Sequence, residues 1–214
     1  MLLSNVIPLS KELALPKTSK HKGWHISQFI ESKSLPWALM GLFIGFTYSG
    51  VLVFIPIELN SMCAGIWGSA FFAIFALMII ISRPLVGKVY ARYGSKFIIY
   101  PGLGLFILGL FGLGLATTPM AIIFTAPLLG LGYGAAQPAF QALAIQSAPI
   151  ERAGVSTATY FLALDISVGA GSIILALLAN ALGYQYLYII TALVMVIALS
   201  LYHVWIKKYT PLEI

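Results

Sequence analysis

Six long stretches of mostly apolar residues run through this chain, at about 36–57, 65–82, 97–116, 120–147, 155–179 and 182–206, with scarcely a charge inside any of them. Each is near or above the ~20 residues a helix needs to cross the hydrocarbon of a bilayer. A helix pairs its own backbone N–H and C=O groups, and leaving such groups unpaired in hydrocarbon is costly. The stretches lack the short alternation of a membrane β-barrel. The chain is therefore expected to be an all-α membrane protein with six transmembrane helices. Composition agrees: 8% of the 214 residues are charged and 60% are apolar, whereas a soluble domain uses ~25% charged residues to solvate its surface. Many of the 20 glycines fall inside the apolar stretches, as is common where membrane helices pack closely.

The cations fix the orientation. Lys11, Lys17, Lys20, Lys22 and Lys33 precede the first stretch, and Arg83, Lys88, Arg92 and Lys96 lie between the second and third. Arg152 lies between the fourth and fifth, and Lys207 and Lys208 follow the sixth. Six crossings put all twelve on one side, while the connections at 58–64, 117–119 and 180–181 hold none. By the positive-inside rule that side is cytoplasmic, with both termini on it, in a multi-pass protein of the cell membrane. The formal charge of +6 is then an attraction to anionic headgroups rather than to nucleic acid. Residues 1–35 read as a cytoplasmic linker-like segment, 36–206 as the bundle and 207–214 as a cytoplasmic tail. The first segment has no early apolar core, so no cleavable signal peptide is expected.

Other residue types narrow the chemistry. The single cysteine, Cys63, allows no internal disulfide and no cysteine metal site, and reads as a small apolar filler. His21, His25 and His203 make no metal set, and no cofactor is expected. Trp24, Trp37 and Trp205 stand near span ends, where tryptophan anchors helices at the interface. There is no H-E-x-x-H and no G-x-S-x-G, and Gly87-Lys88 is followed by valine, so no phosphate loop is completed. An enzyme is not expected.

A three-plus-three inverted repeat is a common plan for transporters, and there are traces of one. Gly45-Phe-Thr-Tyr48 in the first stretch and Gly130-Leu-Gly-Tyr133 in the fourth each precede a small residue, and a proline follows in each, Pro56 and Pro138. Gly94 and Gly183 hold similar places before the third helix of each triplet.

Among the polar residues inside the spans, Asp165 is the one acidic residue deep in a stretch. An ionisable group there costs about 2.5–3.5 kcal/mol, so it should face the bundle or a wet cavity. It could carry protons or recognise a cationic substrate; it could equally be a structural carboxyl bonded to nearby Ser or Thr. Gln137 and Gln141 share a helix face at i and i+4 with Tyr133 one turn away, and could bind substrate or bridge helices. Thr47, Tyr48 and Ser49 leave the same choice open. Gly130, Gly132, Gly134, Gly169 and Gly171 are expected to let backbones approach.

The connection after the second stretch reads SRPLVGKVYARYGSK. Its segment Gly87-Lys88-Val89-Tyr90-Ala91-Arg92-Tyr93-Gly94-Ser95-Lys96 resembles the cytoplasmic signature of the major facilitator superfamily, G-x-x-x-D-R-x-G-R-K/R. Arg83-Pro84, Gly87, Arg92, Gly94 and Lys96 match, while Ala91 stands in place of the acidic residue and Ser95 in place of a basic one. Ala148-Pro149-Ile150-Glu151-Arg152-Ala153-Gly154 is similar to the family's loop between helices ten and eleven. Residues 160–171, from Tyr160 through Asp165 to Gly171, resemble helix eleven of bacterial drug-efflux members. The resemblance implies helices seven to twelve of a twelve-helix permease exporting small amphipathic compounds in exchange for protons. It also implies a role for the residues at 83–96 as a conformational latch; setting topology is the plainer reading. Alternating access needs two bundles around one site, so a second six-helix half or a second copy of the chain is the expected partner, beside the small-molecule substrate and the bilayer. The alternative is a non-transporting membrane fragment or an assembly partner of another membrane protein.

Overall fold

The computed structural model describes residues 29–209, with side chains as far as Trp205. Most of the linker-like segment 1–35, Trp24, His21 and His25 therefore lie outside the described residues, as do the side chains of the tail. Six helices follow: α1 (Leu35–Ser61), α2 (Gly65–Tyr93), α3 (Lys96–Leu115), α4 (Pro119–Gln146), α5 (Ala153–Leu182) and α6 (Tyr184–Tyr209). All six are long and apolar enough to cross a bilayer. Short 3-10 turns at Ser32–Ser34 and Ile150–Arg152 lead into α1 and α5.

Local chemistry sets several helix ends. Thr118 caps α4, its Oγ1 accepting the amide of Ala121, and Pro119 fills a first-turn position where no amide is needed. Gly94 (φ +80°) and Gly183 (φ +88°) terminate α2 and α5 in the left-handed region, which glycine enters without strain. These are the two glycines the repeat had paired.

Helix packing follows the same two-fold plan. α1 lies along α5 as α4 lies along α2, α6 meets α1 as α3 meets α4, and α1–α4 and α3–α6 pair across the axis. The triplets α1–α3 and α4–α6 are thus related as an inverted repeat. Glycines make the close approaches possible. A Cβ on Gly41 would come within 2.8 Å of the Tyr160 ring, and one on Gly171 within 3.1 Å of Phe46, so α1 and α5 meet through small residues. On α4, Gly130 receives the backbone of Phe75 on α2, whereas Gly132 receives Gly102 and Phe106 on α3. Gly169 meets nothing and takes no part in this packing.

Burial is uneven in the same symmetric way. About 61%, 56% and 50% of the most apolar window is buried in α1, α3 and α4, against 22% in each of α2 and α5. Repeat-related α2 and α5 therefore each leave a broad face bare.

Several expectations change. The helices outrun the apolar stretches, because hydropathy marks where lipid ends and not where backbone pairing stops. α2 continues to Tyr93, so the connection expected at 83–96 shrinks to Gly94 and Ser95, and Arg83, Gly87 and Arg92 are helical. Gly87 has no neighbour within 4 Å of an added Cβ, so no tight approach depends on it. Trp37 is not an interfacial anchor: it is buried in the core beside Tyr202, ring centroids 6.5 Å apart. Cys63 is not a filler, since it is exposed at φ +56° in the tight turn between α1 and α2.

Candidate functional site

The repeat brings its two marked tyrosines together. Tyr48 of α1 and Tyr133 of α4 stack with ring centroids 4.4 Å apart and planes inclined by 21°. Phe75 of α2 backs both rings at 6.2 and 6.1 Å, and Phe106 of α3 lies 6.1 Å from Tyr133. The glycines one turn before each tyrosine admit the flanking helices: Gly45 lets α5 approach α1, and Gly130 lets α2 approach α4. Both tyrosines stay partly exposed, so the stack closes the inside of the bundle while keeping an open edge.

Two charged residues lie inside the helices that pack beside these tyrosines. Arg83 on α2 and Asp165 on α5 both interact electrostatically with the Tyr133 hydroxyl. Both side chains are exposed, and the one ion pair among the described residues involves neither. Arg83 is ten residues from the basic end of α2 and Asp165 twelve from that of α5. At 1.5 Å per residue these are distances of about 15 and 18 Å from the helix ends, and Tyr48 and Tyr133 lie about 20 Å from theirs. Arg83 and Asp165 are each exposed on a helix that leaves a broad face bare. Asp165 lies well inside the apolar stretch of α5, where a lipid-facing charge is expensive, so its face is suited to water, a ligand or another protein surface.

The remaining marked residues divide between packing and the rim. Thr47 is fully buried and donates to the carbonyls of Phe43 and Ile44 in its own helix (3.0 Å each). Ser49 likewise donates to Phe46 (2.7 Å). Gln137 is buried and its main-chain carbonyl accepts the Tyr160 hydroxyl at 3.0 Å, whereas Gln141 is half-buried one turn nearer the basic end. At that end Lys96 is exposed, and Arg92 sits 5.3 Å over the ring of its neighbour Tyr93.

Sequence reasoning missed a polar clasp at the basic end. Glu31, just before α1, forms an ion pair with Arg152, and its amide donates to Thr159 Oγ1 of α5 (3.0 Å). The Ala144 carbonyl of α4 accepts from Ser34, Ser147 and Ser156 at 2.9, 2.7 and 2.6 Å. The Lys33 amide and then the Arg152 guanidinium hold the Glu31 carboxyl below its ordinary range. The clasp is therefore stabilising above that range and is lost as pH falls through the lowered value. Its ion pair joins positions 121 apart in sequence, with no local signal to find it. Glu58 was also missed, as it fell in an expected connection. It lies inside α1, 3% exposed, facing Tyr188 of α6.

The sequence profile of the Major Facilitator Superfamily matches residues 4–172. The chain is 29% identical over 151 residues to an uncharacterised MFS-type transporter, YhhS, of Escherichia coli O6:H1, covering 69% of this chain and 37% of that protein. The corresponding protein of strain K12 is 28% identical over 149 residues, again covering 69% and 36%. The chain thus spans little more than a third of the curated relatives it matches. Among solved structures it resembles a POT family transporter in complex with a thioalcohol-conjugated peptide, with TM-score 0.71, 15% identity, and coverage of 86% of this chain and 42% of the other. A POT family transporter in complex with 5-aminolevulinic acid gives TM-score 0.70 at the same identity and coverage.

Proposed function

This chain belongs to the Major Facilitator Superfamily, and on that premise we propose that it is the C-terminal half-bundle of a proton-coupled exporter of small amphipathic compounds in the cell membrane, both ends cytoplasmic. Membrane transport itself is the family's activity; the half, the coupling and the direction are the finer reading. One observation carries it: Asp165 is an exposed carboxyl without an ion pair, well inside the apolar stretch of a helix that leaves a broad face bare. A carboxyl so placed can exchange a proton for an amine, since each neutralises it and both cannot occupy it together. The bare faces of α2 and α5 are where a second six-helix bundle, or a second copy of the chain, completes the cavity. On this reading residues 1–35 form the linker from the preceding half, and the basic residues Arg92 and Lys96 with Gly94 face the cytoplasmic headgroups.

Accessibility tests the reading. With Cys63→Ser as background, single cysteines at Arg83, Asp165 and Leu108 are exposed to a membrane-impermeant maleimide in opened membranes. Leu108 is 59% exposed in the middle of α3 and serves as the lipid-facing control. Arg83→Cys and Asp165→Cys are expected to react and Leu108→Cys to stay silent. An Asp165→Cys as silent as Leu108→Cys would contradict a water-filled cavity at this carboxyl.

A further inference from the structure

We propose that the groove between α2 and α3, near their basic ends, is a site for one anionic phospholipid, with an acyl chain in the groove and the phosphate at Arg92. Such a site depends on membrane insertion alone, and on neither the transport nor the coupling proposed above. Both helices pack mainly on α4 and touch each other little, which leaves a cavity of about 290 Å³ between them. Val86 of α2, Leu105 of α3, and Leu131 and Ala135 of α4 line it. Leu85 and Phe97, also in its lining, are strongly exposed, so the groove opens to the outside of the bundle, where lipid lies. Its one polar lining side chain among the described residues, Ser82, donates to the Ile79 carbonyl of its own helix (2.8 Å). The walls therefore offer a ligand no side-chain hydrogen bond, and a polar group placed there would lose its water without compensation. The part of any occupant that lies in the groove is apolar.

Charge selects the rest of the occupant. Residues 83–96 contain four cations and no carboxylate, and the one ion pair among the described residues, Glu31–Arg152, uses none of them. Arg92 comes one turn after the lining residue Val89 on the same side of α2. Its guanidinium lies 5.3 Å over the Tyr93 ring, and that ring is 5.8 Å from Phe97 at the rim of the groove. Short contacts thus join the cation to the mouth of the cavity, and exposed Lys96 begins α3 next to Phe97. From Ser82 to Val89 the groove runs about 10 Å along α2. A lipid chain lying along it brings its phosphate to the helix ends, where the guanidinium can donate two parallel N–H bonds to phosphate oxygens. A zwitterionic headgroup would add its own ammonium to a cluster of cations with no carboxylate to receive it. An anionic headgroup adds only the missing countercharge.

Photolabelling of the full chain in phosphatidylcholine vesicles tests this. Phosphatidylglycerol or phosphatidylcholine carrying a diazirine in its acyl chain is photolysed, and the labelled residues are mapped by mass spectrometry. The ratio of phosphatidylglycerol to phosphatidylcholine label at Val86, Leu105 and Leu131 is expected to be at least about fivefold that at lipid-facing Leu108. Replacing both cations, Arg92→Gln with Lys96→Gln, should bring the groove ratio down to that at Leu108 while phosphatidylcholine still labels the groove. Leu105→Trp fills the groove and leaves the cations in place, so label at Val86 and Leu131 should fall for both lipids. The proposal is overturned if the groove and Leu108 show the same ratio, which would leave ordinary boundary lipid. It is overturned equally if the doubly neutralised chain keeps the preference, or if Leu105→Trp leaves the groove label unchanged. Exclusion of both lipids from the groove would mean that protein covers it, and would also end the proposal. Should Leu105→Trp fail to insert, the neutralised pair decides.

Discussion

Asp165→Asn is expected to abolish gradient-driven flux while leaving the amount of inserted protein unchanged. The exposed side chain holds no ion pair, so the amide costs little packing. What it removes is the exchangeable proton. Asparagine keeps the size and the polar atoms of aspartate but cannot bind and release a proton, so any flux that depends on the pH gradient should fall to background. Equilibrium exchange of substrate, which needs no net proton movement, should survive in part. Flux measured with and without an imposed pH gradient separates the two. Full gradient-driven flux in Asp165→Asn would take this carboxyl out of the coupling.

Gly132→Ala is expected to be the most damaging single methyl addition in the bundle. Its Cβ would lie 2.8 Å from the Gly102 carbonyl oxygen and 2.8 Å from the Phe106 Cα, both backbone atoms of α3. A side chain can rotate away from such a contact, but a helix backbone cannot, so α3 and α4 must separate along their whole packed length. Overpacking of this kind costs about 1–3 kcal/mol or more, and membrane helices depend on such close contact because lipid supplies no hydrophobic drive to hold them together. Gly104→Ala on α3 is the control. Nothing lies within 4 Å of its added Cβ, and alanine is about 1 kcal/mol better than glycine inside a helix. Heating the detergent-solubilised variants before size exclusion should show a clear loss of midpoint temperature for Gly132→Ala and none for Gly104→Ala. Equal midpoints would mean that the α3–α4 interface is looser than its geometry implies.

How legible these features were depends on how local their signals are. The six crossings are set by runs of about twenty apolar residues, and such runs can be read directly. The inverted repeat was legible through Gly45/Tyr48 and Gly130/Tyr133, because the same backbone approach requires the same small residue in both triplets. Helix ends were not. Hydropathy falls at Arg83, yet the hydrogen-bonded ladder continues to Tyr93, and this displaced Arg83 from the bundle into an imagined loop. Facing was the second gap. Helices that are apolar all round carry no amphipathic stripe, so Phe75 and Phe106 could not be told from lipid-facing rings, and Trp37 passed for an anchor. Long-range polar pairs such as Glu31–Arg152 were invisible for want of any pattern linking positions so far apart.

Gradient-driven flux in proteoliposomes decides whether two paired bundles exchange protons for substrate. Vesicles with an acidic interior carry this chain alone, a six-helix first half alone, or both, and uptake of a radiolabelled aromatic quaternary ammonium compound, which has no neutral form to cross lipid by itself, is followed. Uptake is expected when two bundles are present, lost when the pH gradient is collapsed and lost with Asp165→Asn. Inserted, paired bundles that show no gradient-dependent uptake would contradict that exchange.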